Sequence, residues 1–220
     1  MMTTEIINFL AMALALAIAV IGHEIMHGWV AKLFGDLTAT YAGRLSINPI
    51  KHIDPVGTII FPIFLYLSQK MAGVSSPILF GWAKPVPVDM YIVIKNGGYL
   101  AGTAVSLAGV AYNFALALIA SFFIHFEPNS MVSVFIFYTL YYTIVINIIL
   151  MVFNLIPIPP LDGANALRYT ANFFGNKSIG EFFDKIERYG MFILLALLFT
   201  PLSGYIFAPA QKIIAWLIGS

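Results

Sequence analysis

Four stretches of this 220-residue chain, residues 5–34, 98–126, 131–156 and 189–202, are apolar enough to be spanning or deeply buried helices. The first three exceed the roughly 20 residues that a helix needs to cross a bilayer. With 60% hydrophobic and 10% charged residues, the chain lies far outside soluble composition. We therefore expect an all-α polytopic membrane protein, with about five to six membrane-embedded helices in a single domain over residues 1–220. The fourth stretch is short and is followed by an apolar run, 203–218, containing Pro209; together these are two short helices or one bent excursion. A net charge of +1 offers no basic surface for nucleic acid. Cysteine is absent, so disulfides, thiolate metal ligands and a cysteine nucleophile are excluded together. Any metal must use His, Asp or Glu.

Residues 54–82 contain two apolar pieces, 55–68 and 71–82, each shorter than a span and interrupted by Pro62 and Pro77. If only the first crosses, the basic residues divide between the two faces. If the two form a re-entrant hairpin, then Lys32, Arg44, Lys51, Lys84, Lys95, Arg168, Lys177, Lys185 and Arg188 share one face, and the opposite loop at 127–130 has none. The positive-inside rule favours the hairpin. It also brings the inner half of the first helix to the depth at which the 131–156 helix ends.

That inner half reads His23-Glu24-Ile25-Met26-His27. Histidines four residues apart share one face of a helix, with Glu24 beside them. Neutral imidazole suits Zn²⁺, and a catalytic zinc keeps three protein ligands and one open position. Such an ion activates water for attack on a carbonyl, and Glu24 is placed to accept the proton and pass it to a leaving amine. Polar residues clustered at a helix end can also be satisfied by snorkelling. Three ionisable groups inside an apolar run nevertheless read first as a functional site.

The third ligand must come from elsewhere, and Asp162 is the best candidate. It closes the run Asn154-Leu-Ile-Pro-Ile-Pro-Pro-Leu-Asp-Gly163, whose Pro157, Pro159 and Pro160 stop a helix and free backbone groups. Freed backbone at membrane depth must face protein or a wet cavity. Gly163 would let the chain turn closely around the carboxylate.

His23–His27 together with Asn154–Gly163 resemble the site-2 protease family of intramembrane zinc metalloproteases, which pair a His-Glu-x-x-His helix with a later Asn-x-x-Pro-x-Pro-x-Leu-Asp-Gly segment. The runs Arg44–Pro55, Phe80–Val88 and Leu107–Asn113 are similar to connecting segments of its compact members, which lack PDZ and CBS domains. Val110 stands where the family often has Pro. The resemblance implies His23, His27 and Asp162 as ligands of one Zn²⁺ per chain, Glu24 as catalytic acid/base, and Asn154 and Asn113 as residues near the site. It implies an endopeptidase that cuts in or near a transmembrane helix of a membrane-protein substrate within the lipid bilayer. We expect a multi-pass protein of a prokaryotic cell (inner) membrane with its active site towards the cytoplasm. A non-catalytic zinc-binding membrane protein, either a transporter or an inactive protease relative, is the alternative.

Other residues carry less. His52 reads as structural or as a partner behind the site, and His125 lies at the far end of its helix. Asn113, inside an apolar helix, either packs helices by hydrogen bonding or lines the site. Residues 82–88, with Pro85 and Pro87, are either an edge strand able to take an unwound substrate by strand addition or a turn at the membrane surface. The amphipathic stretch 164–188 reads as an interfacial helix and loop.

Overall fold

The computed structural model describes residues 2–71, 73 and 81–219, with side chains from Glu5 onward. Its helices are α1 (Met2–Leu33), α2 (Thr38–Tyr41), α3 (Phe61–Met71), α4 (Met90–Ser121), α5 (Met131–Asn154), α6 (Asp162–Phe173), α7 (Ser178–Leu198) and α8 (Leu202–Ile218). A 3₁₀ turn at Pro49–His52 and a π-helical turn at Pro55–Ile60 lie between α2 and α3. No strand occurs among the described residues. The chain is an all-helical polytopic membrane protein. Residues Glu5–Leu33 of α1, with α4 and α5, are long and apolar enough to cross, whereas α7 and α8, bent 79° from each other, qualify only as a pair.

Helices α1, α4 and α5 form the centre. Lipid tails are as apolar as leucine, so close backbone packing and interhelical hydrogen bonds replace the hydrophobic effect as the force between these helices. Ala11, Ala15 and Ala19 recur every fourth residue along α1, and all three are fully buried. Gly22 continues that small face. A Cβ built there would lie 2.1 Å from the ring of Tyr112, so α4 drops its tyrosine into the notch. The polar side chains of Ser106, Asn113, Thr143 and Asn147 are buried within the bundle rather than turned towards lipid.

One buried carboxylate joins the end of α1 to the start of α4. Asp36 accepts hydrogen bonds from Thr38 N at 2.9 Å, Thr38 Oγ1 at 2.5 Å and Asp89 N at 2.8 Å. Asp89 in turn caps α4 by accepting from Tyr91 N and Ile92 N. Helix α4 therefore begins at Met90, eight residues before the apolar stretch 98–126 read from the sequence. Gly98 is instead a break inside the helix, at φ 69° and ψ −172°, a left-handed φ that only glycine takes without penalty.

The excursion after residue 54 leaves and returns at one place. Asp54 caps the π turn through Val56 N and Gly57 N, Trp82 N donates to Gly57 O at 3.1 Å, and Thr58 Oγ1 donates to Trp82 O at 2.8 Å. The indole occupies the space that a Cβ on Gly57 would need. These contacts are those of the hairpin. Most of its return arm, residues 74–80, lies outside the described residues.

Beyond α5 the proline run ends at Leu161, and Asp162 opens α6 instead of lying in a loop. Helix α7 runs unbroken from Ser178 through Tyr189 to Leu198, so the surface stretch and the apolar stretch that the sequence separated near residue 189 are one helix. The α7 backbone abuts the proline run, since a Cβ at Gly190 would fall 1.8 Å from Pro159 O. Arg168 Nη2, 2.9 Å from Asp184 Oδ1, ties α6 to α7.

Because the chain has no native cysteine, single-cysteine labelling tests the hairpin directly. Asn48→Cys and Lys84→Cys should react with a membrane-impermeant maleimide from the same side and Asn129→Cys from the other. Labelling of Lys84→Cys from the Asn129 side would establish a single crossing instead.

Candidate metal centre

His23 and His27 sit one turn apart on α1, with ring centroids 4.8 Å apart. Their Nε2 atoms are 3.1 Å from each other, and Asp162 Oδ2 lies 3.1 Å from His23 Nε2 and 3.4 Å from His27 Nε2. The remaining ring nitrogens reveal which atoms carry protons. His27 Nδ1 is 2.7 Å from the backbone carbonyl of Val105, which can only accept, so Nδ1 holds the hydrogen. His23 Nδ1 is 2.6 Å from Asn113 Oδ1, likewise an acceptor. In the neutral rings both Nε2 atoms then present lone pairs. In that state two imidazole lone pairs and a carboxylate oxygen converge, and Asp162 Oδ2 is buried without a hydrogen-bond partner.

Such a cluster fits a cation. Ligand atoms about 2.0–2.2 Å from a tetrahedral zinc stand roughly 3.3–3.5 Å apart, close to the triangle observed. The donor set of two imidazoles and one carboxylate matches catalytic zinc, and a hydrogen-bond acceptor behind each imidazole is the usual device for fixing the ligating tautomer.

Glycines bring these groups close. A Cβ at Gly109 would lie 2.5 Å from the His23 ring, so the backbone of α4 lies directly beside the imidazole. A Cβ at Gly163 would lie 2.3 Å from Leu155 O. Gly163 therefore permits close packing of α6 on the end of α5; it is helical, and not the turn expected from sequence.

A cavity of about 610 Å³ opens onto the triad, lined also by Glu24, Asn154 and Asn165. Glu24 Oε2 accepts from Val86 N at 2.9 Å. That donor belongs to residues 82–88, which form neither helix nor strand. Alternate residues of the segment are tied to its neighbours: Lys84 N donates to His52 O at 2.9 Å, and Arg44 Nη2 donates to Lys84 O at 2.6 Å. His52 is thus part of the wall that holds this segment, its Nε2 bonded to Ser46 O at 2.7 Å. Asn154 lines the cavity with its Nδ2 bonded to Leu150 O at 3.0 Å, whereas Asn113 stands behind His23 and off the cavity wall. His125 lies against Gly219 and does not meet the triad.

Two contributors were missed from the sequence. The Val86 N–H is backbone and leaves no trace in composition. Asn147, whose Oδ1 accepts from Asn113 Nδ2 at 2.7 Å, did carry a signal, since it is a carboxamide in the middle of an apolar helix.

Comparisons with known proteins agree with this chemistry. The profile described as "Peptidase family M50" matches residues 59–198. The Bacillus subtilis (strain 168) protein named "Putative zinc metalloprotease YwhC" is 36% identical over 195 residues, covering 85% of this chain and 79% of that protein. Proteins named Rip2, with the same description, are 26% identical in Mycolicibacterium smegmatis, over 81% of this chain, and 29% identical in Mycobacterium tuberculosis H37Rv, over 66%. The matches span 62% and 51% of those two proteins. No solved structure matches the chain.

Gly163→Ala tests the packing that delivers Asp162. The added methyl meets backbone, so α6 must shift at a cost of about 1–3 kcal/mol. Zinc uptake, measured by titration of the purified variant, should weaken at least about tenfold, which corresponds to 1.4 kcal/mol. Unchanged uptake would contradict the geometry.

Proposed function

Because the chain belongs to peptidase family M50, we propose that it is an intramembrane zinc endopeptidase, hydrolysing peptide bonds in or near transmembrane segments of other membrane proteins. In this reading residues 1–220 act as one membrane-embedded domain, with the site towards the cytoplasm. The carrying observation is the convergence of His23 Nε2, His27 Nε2 and Asp162 Oδ2, lone pairs inward, beside Glu24 in an open cavity. His23, His27 and Asp162 would hold one zinc, and Asn113 would orient His23. When bound, zinc supplies a Lewis acid that polarises a carbonyl and makes water acidic near neutral pH.

Glu24 is the proton carrier. Val86 N–H holds one carboxylate oxygen, which fixes the group at the wall of the cavity that the triad also lines. It takes the proton from the attacking water and delivers it to the leaving amine nitrogen, which departs neutral. Asn154 offers hydrogen bonds to substrate backbone from the cavity wall.

A helical substrate hides its carbonyls in its own hydrogen bonds, so it must unwind to react. Residues 82–88 offer it an alternative. Since successive residues of an extended chain direct their backbone groups to opposite edges, the tied residues Trp82, Lys84 and Val86 leave those of Ala83, Pro85 and Pro87 on the other edge. Three carbonyls and the Ala83 N–H there suit an added strand, exchanging helical hydrogen bonds for intermolecular ones. Pro85 and Pro87 lack an N–H, which limits pairing with unintended strands.

Cleavage of candidate single-span substrates by detergent-purified protein tests this reading. Glu24→Gln should retain zinc and lose about 10²–10⁴-fold or more in rate. Asp162→Ala should lose zinc as well. Val86→Pro removes the donor to Glu24, so cleavage should fall with zinc content unchanged. Full cleavage by Glu24→Gln would sink the assignment.

A further inference from the structure

We propose that Asn147, through Asn113, is a positioning residue that sets which nitrogen of His23 is free to ligate. Three hydrogen bonds with one polarity run from a backbone carbonyl on α5 to the imidazole on α1, and a fourth branches from Asn113 to Ala19 O. Asn147 Nδ2 is 2.8 Å from Thr143 O. A backbone carbonyl only accepts, so the NH₂ end of Asn147 must face it and its Oδ1 must face Asn113. Asn113 Nδ2 then meets Asn147 Oδ1 at 2.7 Å and Ala19 O at 3.3 Å. Both neighbours are acceptors, which leaves one orientation for the Asn113 amide, with Oδ1 towards His23 Nδ1 at 2.6 Å. Only the Nδ1–H tautomer satisfies that contact, and it turns the Nε2 lone pair to Asp162 and His27.

Burial gives this polarity its force. Asn113 and Asn147 are both 0% exposed, so neither can take a bond from water or lipid if its amide is reversed. A flipped amide would set like groups together at Thr143, Ala19 or His23, each an unmade hydrogen bond in a low dielectric. Ordinary helix-to-helix adhesion would require only that the two carboxamides meet. The chain of acceptors also prescribes their direction, and Thr143 O is the fixed point from which that direction follows.

The inference rests on the zinc reading for its consequence and on tautomer for its direct test. In metal-free protein carrying ¹⁵N-labelled histidine, His23 should show protonated Nδ1 and unprotonated Nε2. Asn113→Leu should weaken zinc binding by about 10–100-fold and Asn147→Leu by about tenfold. The double variant should bind no worse than Asn113→Leu, because Asn147 acts only through Asn113. In its neutral form Asn147→Asp donates its hydroxyl to Thr143 O and keeps an acceptor facing Asn113, so at a pH where that carboxyl is protonated it should stay near the parent affinity. An Nε2–H tautomer in the parent, additive losses in the double variant, or equal losses for the Leu and Asp variants would each overturn the proposal. A parent that takes up no zinc would remove the protease reading, and the tautomer measurement would still decide the relay.

Discussion

Three electron-pair donors held 3.1–3.4 Å apart repel one another unless a cation lies between them, and here they meet at the wall of a cavity between apolar helices. A cation relieves the repulsion, and without one the arrangement must be enforced by everything around it. Much of the fold is that enforcement. His23 and His27 are fixed relative to each other by one helical turn. Asn113 and the Val105 carbonyl set their tautomers, and the proline run brings Asp162 across from a different helix at the same depth.

Close approach is obtained by leaving atoms out. Ala11, Ala15 and Ala19 let α1 lie against its neighbours. Gly109 admits the His23 ring to the backbone of α4, while Gly163 and Gly190 let α6 and α7 close on the end of α5 and the proline run. In a bilayer, where apolar burial gives little between helices, such contacts and the buried carboxamides supply the adhesion. The same contacts set the positions of His23, His27 and Asp162, so stability and site geometry share their determinants. The wall at residues 82–88 works differently, through polar groups: Arg44 and His52 grip Lys84, and two residues on Val86 grips Glu24.

Some of this was legible from residue types alone. Histidines four apart on an apolar helix mark a candidate metal site, because few other arrangements repay polar groups at that depth. Asp162 was legible because three prolines must free backbone that only a wet or protein-lined space can satisfy. The hairpin was legible from where the lysines and arginines fall. The start of α4 was not, because the determining event, Asp36 accepting from Asp89 N, is a long-range contact outside the apolar stretch that begins at residue 98. Gly163 was seen as a turn because sequence shows a glycine's freedom but not the carbonyl that a side chain would strike. Asn147 is a carboxamide inside an apolar helix, and the direction of its amide emerges only when the acceptors around it are in place.

The central claim is that two imidazoles and one carboxylate, and nothing sulfurous, hold a single zinc. X-ray absorption at the zinc edge of the loaded protein addresses it most directly. The account predicts two imidazole scattering patterns, nitrogen and oxygen ligands at about 2.0–2.2 Å, and a changed first shell in Asp162→Ala. Three or more imidazoles, or a spectrum unaltered by Asp162→Ala, would contradict it.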